Sequence, residues 1–215
     1  MKSKTEKLTA LGTFCALAYT AAAVGRIPLV LFLKYDPKDI VIAICGLLFG
    51  PLSAFVIALT VSFLEMVTVS ETGVLGLLMN VISSCAFACT AAFAYRRKRG
   101  RQSVLPALLW GWTCMVAVML FWNYWITPIY MGCSREEAAK LLLPAFLPFN
   151  LIKGGLNTAM TALLYLPVTA ALRHSRLLKA EPDNGHVHTG AGAVLVPVLI
   201  LAACVLLVFS LKGIR

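Results

Sequence analysis

Asn150-Leu151-Ile152-Lys153-Gly154-Gly155-Leu156-Asn157 places one lysine and two asparagines inside a run otherwise apolar enough to cross a bilayer. At about 100° per residue, a helix here carries Asn150, Lys153, Gly154, Asn157 and Thr161 on one stripe. Leu151, Ile152, Leu156 and Met160 take the rest of its surface. A charge at membrane depth costs roughly 2.5–3.5 kcal/mol on insertion scales, so a lysine kept there marks a functional site by default. A polar stripe with a glycine that admits close approach predicts a small-molecule site inside a helical membrane bundle.

The rest of the chain agrees with a membrane setting. Its 215 residues are 60% hydrophobic and only 13% charged, with a mean hydropathy of +0.86. A soluble domain averages about 25% charged residues, so the composition is that of an integral membrane protein without a large aqueous domain. The net charge of +10 comes from lysines and arginines in short loops, and nucleic acid is not an expected partner. The seven cysteines form no CxxC pair, so neither a disulfide framework nor a zinc site is expected. Cys85 and Cys89, four apart on one helix face, read as small packing residues. His174, His186 and His188 all lie towards the C-terminal tail or linker, which argues against a histidine triad or metal site within the membrane. A G-x-x-x-x-G-K-[ST] phosphate loop is absent from the sequence, so this chain is not expected to hydrolyse ATP in that manner.

About 20 apolar residues cross the hydrocarbon core. On that rule the spans read as Leu8–Val24, a short Asp39–Leu48, Leu52–Val67, Val74–Tyr95, Val104–Thr127, Leu141–Leu172 and Ala193–Leu211. Residues 25–38 read as irregular, Phe49-Gly50-Pro51 as a turn, and Pro128 as the start of a polar loop that includes Arg135, Glu136, Glu137 and Lys140. Pro144, Pro148 and Pro167 are expected to bend or break the long sixth span. Three parts follow: residues 1–175 as a membrane domain, 176–192 as a hydrophilic linker, and 193–215 as an additional C-terminal transmembrane helix and tail. The N-terminal run lacks a polar break and cleavage site, and is not expected to be a cleaved signal peptide.

Orientation follows from the basic residues. With the N-terminus in the cytoplasm of a multi-pass cell-membrane protein, the inner side collects Lys2, Lys4, Lys7, the cluster from Arg96 to Arg101, Arg173, Arg176 and Lys179. The outer loops then hold Arg26, Lys34, Lys38, Arg135 and Lys140, largely offset by acidic residues. This bias requires an even number of spans before Arg96 and again before Arg173.

Other polar residues converge on the outer half. Glu65 and Thr68 end the third span, Asn80 lies one turn into the fourth, Asn123 sits between Trp122 and Tyr124, and Asp36 and Asp39 flank Pro37-Lys38. Each has a structural alternative. Asn80 and Asn123 can serve as hydrogen-bonding links between helices, Glu65 as an ion-pair partner of Lys153, and Asp36 or Asp39 as helix N-caps. Trp122, Tyr124, Trp125 and Tyr130 can form an interfacial belt.

In this arrangement Tyr35-Asp36-Pro37-x-Asp39, Phe49-Gly50-Pro51-Leu52, Glu65-Met66-x-Thr68, Gly76-x-x-Met79-Asn80, Trp122-Asn123-Tyr124 with Thr127-Pro128-Ile129-Tyr130-Met131, and Leu147-Pro148-Phe149-Asn150-x-x-Lys153-Gly154 resemble the S components of energy-coupling factor (ECF) vitamin transporters. The likeness covers residues of about 1 to 175 and is nearest to the riboflavin-specific members. It implies an all-α, six-helix bundle, here with the additional C-terminal helix, that captures riboflavin from outside and closes over it with the loop after the first helix. It also implies that Glu65, Asn123, Asn150 and Lys153 hold the flavin ring, with Asn157, Thr68, Asn80 and Asp36 as further candidates. The flavin is a transported ligand and no cofactor is implied. Partners implied are a transmembrane coupling subunit and two ATPases, met through small residues of the first helix. Gly12, Ala16 and Thr20 make one such face, and Ala18 with Ala22 another.

The residues leave three other readings. The chain is an S component for FMN or another vitamin, with Arg26, Lys34 and Lys38 available to a phosphate; an intramembrane enzyme using Glu65 and Lys153 as an acid–base pair; or a structural subunit, for which a buried Lys153 is an unneeded cost.

Overall fold

The computed structural model describes residues 4–30, 33–68, 73–97, 103–132, 134–175 and 191–213. The loop residues Ser70, Glu71 and Thr72, the basic residues Lys98, Arg99 and Arg101, and the linker with His186 and His188 lie outside the described residues. Counting each unbroken rod once, the described residues form seven helices, in the order of the apolar runs. These are α1 (Lys4–Val24), α2 (Lys38–Phe49), α3 (Pro51–Thr68), α4 (Gly73–Arg97), α5 (Val104–Met131), α6 (Arg135–His174) and α7 (Ala191–Gly213). Helices α1, α3, α4, α5 and α6 are long and apolar enough to cross a membrane.

Helix α2 is the short central element. At about 1.5 Å per residue it reaches about 18 Å, well under a bilayer core. Its sequence from Ile40 to Phe49 is apolar on every side except for Gly46, the pattern of a helix enclosed all round. Accordingly Ile42, Ala43 and Cys45 are fully buried, and α1, α3, α4 and α6 pack around it. Gly46 lets two neighbours close in: a Cβ there would stand 3.0 Å from Ala54 Cβ and 3.2 Å from Ala92 Cβ. The Phe49-Gly50-Pro51 turn stands as read, with Gly50 at φ 100° and Pro51 opening α3, where its missing N–H costs nothing. On the outer side of α3, Leu52, Phe55, Val56, Leu59, Phe63 and Val67 are exposed. In a bilayer this is the lipid-facing side, and apolar side chains there lie in their own solvent.

Three local expectations are corrected. Part of the irregular segment is a β-hairpin, β1 (Ile27–Val30) with β2 (Leu33–Tyr35), antiparallel with Ile27 opposite Tyr35. Pro128 does not end the fifth span: α5 runs on to Met131 and stops at Gly132, whose left-handed φ of 64° caps it. The polar residues from Arg135 to Lys140 are not loop but the opening turns of α6. Ser134 Oγ accepts from the Glu137 amide at 3.2 Å, and Glu137 Oε2 accepts from the Ser134 amide at 2.9 Å. That reciprocal capping box is written in the sequence as Ser-x-x-Glu.

The prolines do not break the sixth span either. Pro144 falls in a π-helical turn, Leu142–Phe146, and the wider turn accommodates a residue without an N–H and with a bulky ring. Below it, α6 seats directly on α5. A Cβ on Gly154 would lie 2.1 Å from Trp112 Cδ1 and 3.0 Å from Met115 Cε. Gly154→Leu is therefore expected to lower the thermal midpoint in detergent, by an overpacking penalty of at least about 1–3 kcal/mol. Gly12→Leu, where nothing stands within 4 Å, is expected to leave the midpoint unchanged.

Candidate ligand-binding site

The polar stripe of α6 faces the N-terminal end of α2, and the two meet in a buried charge network. Lys153 is 6% exposed and Asp39 fully buried. Lys153 Nζ lies 3.1 Å from Asp39 Oδ2 and 3.2 Å from Ser83 Oγ of α4. Asp39 also accepts from the hydroxyl of Ser84 and, at 3.3 Å, from Asn157 Nδ2. The Asn157 carbonyl accepts from the Tyr35 hydroxyl at 2.9 Å. Burial, with the charges of Asp39 and Asp36 added, pushes that hydroxyl well above its ordinary range, so it remains a neutral donor.

A second set of charges adjoins the first. Lys38, fully buried, pairs with Glu65 of α3 and stands 3.8 Å from Asp36. Arg26 Nε lies 3.2 Å from Asp36 Oδ1, and its Nη2 lies 3.8 Å from Glu65 Oε2. Asn80 Nδ2 donates to that same oxygen at 3.1 Å. These pairs join three cations (Arg26, Lys38 and Lys153) to three carboxylates (Asp36, Asp39 and Glu65). The hairpin is tied down at its open end, where Arg26 precedes β1 and Tyr35 and Asp36 close β2.

Five of the eight sequence-predicted binding residues thus belong to these two adjoining sets: Lys153 and Asn157 to the first, and Glu65, Asn80 and Asp36 to the second. Asn150 lies within a turn of Lys153 and is 1% exposed. Its amide nitrogen donates to Phe146 O at 2.8 Å, whereas its Oδ1 has no hydrogen-bond partner. Glu65 Oε1 and Trp122 Nε1 are likewise buried without a partner. Asn123 is buried on α5 at 3% exposure, with Thr127 at 5% one turn on. Thr68 stands apart: it is exposed, and its hydroxyl accepts from Tyr19 at 3.0 Å. Buried polar atoms in native proteins are nearly all satisfied, so these orphaned atoms suit a polar ligand with its own donors and acceptors.

Two pairings differ from expectation. Glu65 takes Lys38 rather than Lys153, and Asp39 is not an N-cap: Pro37 holds that position, with no side-chain cap bond. Sequence reading missed Lys38 as a buried partner and Ser83 and Ser84 as ligands of the charges. A signal for Lys38 existed, because a helix apolar on every side that opens with Lys-Asp must bury that pair too. On α1, Ala18 and Ala22 are fully buried within the chain. Gly12, Ala16 and Thr20 form the exposed small-residue face.

Removing one member of a buried ion pair strands the other, typically at about 3–5 kcal/mol. Lys38→Met is expected to lose stability on that scale in denaturant unfolding. Lys38→Met with Glu65→Gln, which removes both charges, is expected to recover at least half of the loss. Equal losses in the two variants would mean that the pair does not stabilise this cluster.

A family model described as "ECF transporter, substrate-specific component" matches residues 6–165. The riboflavin transporter FmnP of Bacillus subtilis (strain 168) is 25% identical over 166 residues, 73% of this chain and 84% of that protein. The riboflavin transporter RibU of Staphylococcus aureus (strain TCH60) is 24% identical over 140 residues, 62% of this chain and 74% of its own. A solved structure described as "Structure and mechanism of the S component of a bacterial ECF transporter" shares the fold, with a TM-score of 0.70 and 23% identity, covering 80% of this chain and 99% of that one. With the family match spanning most of its length and a multi-pass helical bundle of the same architecture, this chain belongs to the substrate-specific components of ECF transporters, membrane transport subunits rather than enzymes.

Proposed function

We propose that this chain binds riboflavin at the outer side of the membrane and passes it inward with a transmembrane coupling subunit and two ATPases. The observation that carries the reading is the Asn150–Lys153–Asn157 stripe, buried against α2 and α4 and flanked by the unpartnered oxygens of Asn150 and Glu65. A flavin ring needs apolar faces and in-plane donors and acceptors for its carbonyls and nitrogens. Lys153, Asn150, Asn123 and Glu65 supply the second need, and Asn157, Asn80, Asp36 and Thr68 are further candidates. The two similar proteins named as riboflavin transporters support the same ligand.

The charges around the stripe favour riboflavin over its phosphate in this reading. Among the described ion pairs, Arg26, Lys38 and Lys153 are each engaged by a carboxylate, so a phosphate would compete with Asp36, Asp39 and Glu65 for them. An unphosphorylated, neutral flavin needs no such competition. Partner docking is assigned to the exposed Gly12–Ala16–Thr20 face of α1, where small side chains permit close helix contact. The inner end is assigned to the side holding the start of α1 and Arg96 and Arg97 in the last turn of α4, in accord with the basic bias.

The chain purified in mild detergent is expected to carry bound flavin or to take up added riboflavin, with quenching of flavin or tryptophan emission. A colourless preparation that does not bind riboflavin would reject the proposal. Lys153→Met is expected to weaken binding well over tenfold, because a charge-assisted hydrogen bond is worth about 1.5–3 kcal/mol. Ala16→Trp is expected to retain binding and abolish cellular uptake; unimpaired uptake would move the docking face elsewhere.

A further inference from the structure

Helix α7 lies beyond the family match, which ends at residue 165. It packs along α6 and also touches β1 of the hairpin. Its seam with α6 is close: a Cβ on Gly155 would stand 2.5 Å from Cys204 Sγ. Phe149, Ile152 and Cys204 are buried there, with Ile200 and Val208 of α7 and Leu33 of β2 packed against them. One apolar cluster therefore joins α6, α7 and the hairpin.

The position of this cluster relative to the site gives it a consequence. At about 100° per residue, Phe149, Ile152 and Leu156 occupy the face of α6 next to the Asn150–Lys153–Asn157 stripe. Along β2, Leu33 and Tyr35 share one side of the strand. The strand that sends the Tyr35 hydroxyl to Asn157 thus also lodges Leu33 against the α6–α7 cluster. Membrane anchoring alone does not call for this arrangement. Leu195, Leu199, Leu206 and Phe209 of α7 are exposed and already suit lipid.

We propose that α7 is an intramolecular clamp, seated through Cys204 on Gly155, that holds the hairpin over the ligand site and slows its opening. This rests on the reading of the chain as a riboflavin-binding component closed by the hairpin. A segment outside the family match then sets how long the ligand stays bound.

The test uses the full chain in detergent with two variants. Cys204→Phe wedges the seam open, and the milder Ile200→Ala with Val208→Ala loosens it without added bulk. Hydrogen–deuterium exchange is followed without ligand in peptides covering residues 27–35, with α2 and α3 as the folding control. The proposal predicts at least tenfold faster exchange in the hairpin peptides, with the control peptides unchanged. It also predicts at least tenfold faster riboflavin release after dilution into competitor. Hairpin exchange unchanged in both variants would overturn the clamp, as would faster exchange with an unchanged release rate. If the unaltered chain fails to bind riboflavin, the functional reading falls, and the ligand-free exchange still decides whether α7 restrains the hairpin.

Discussion

Charge neutrality inside a lipid-spanning protein is the constraint on which this structure depends. An unpaired ion in that interior is far more costly than one at a protein surface. Here Asp39 answers Lys153, Glu65 answers Lys38, and Asp36 draws in Arg26. The consequence is architectural as well as local. Because the charges come from α2, α3, α6 and the hairpin, satisfying them fixes how those elements meet. A buried ion network is weak evidence of stability by itself; its use here is to specify one arrangement around a polar site.

That arrangement explains why α2 is short and enclosed. A full-length span would carry Lys38 and Asp39 to the membrane surface, where water would solvate them. Twelve residues instead start the helix within the protein, with its first turn turned towards α6. The chain just before α2 forms the hairpin, tied at Arg26 and Asp36. Exposed Leu and Phe side chains on α3 and the buried polar side of α6 are two results of one rule: lipid takes the apolar surface and the protein keeps the charges.

Much of this was legible in the sequence. Seven apolar runs became seven helices, and the α6 stripe came out buried on one side because a 3.6-residue period places its polar groups together. The partners of those groups were not legible. Asn157 and Asp39 are 118 positions apart, and no local pattern distinguishes Asp39 from Glu65 as the carboxylate for Lys153. The hairpin was hidden because Pro28 and a run of apolar residues give no clean two-residue alternation. The π turn at Pro144 was hidden for a different reason: proline signals a break in the regular hydrogen bonding, but not whether a helix stops or widens there.

The most direct test of the account is an experimental structure of the chain purified with riboflavin. The account predicts the flavin ring enclosed between the hairpin and α6, with Lys153 and Asn150 in hydrogen-bond contact with its polar edge. A flavin bound elsewhere, or a ring beside α6 with Lys153 held only by Asp39 and Ser83, would contradict it.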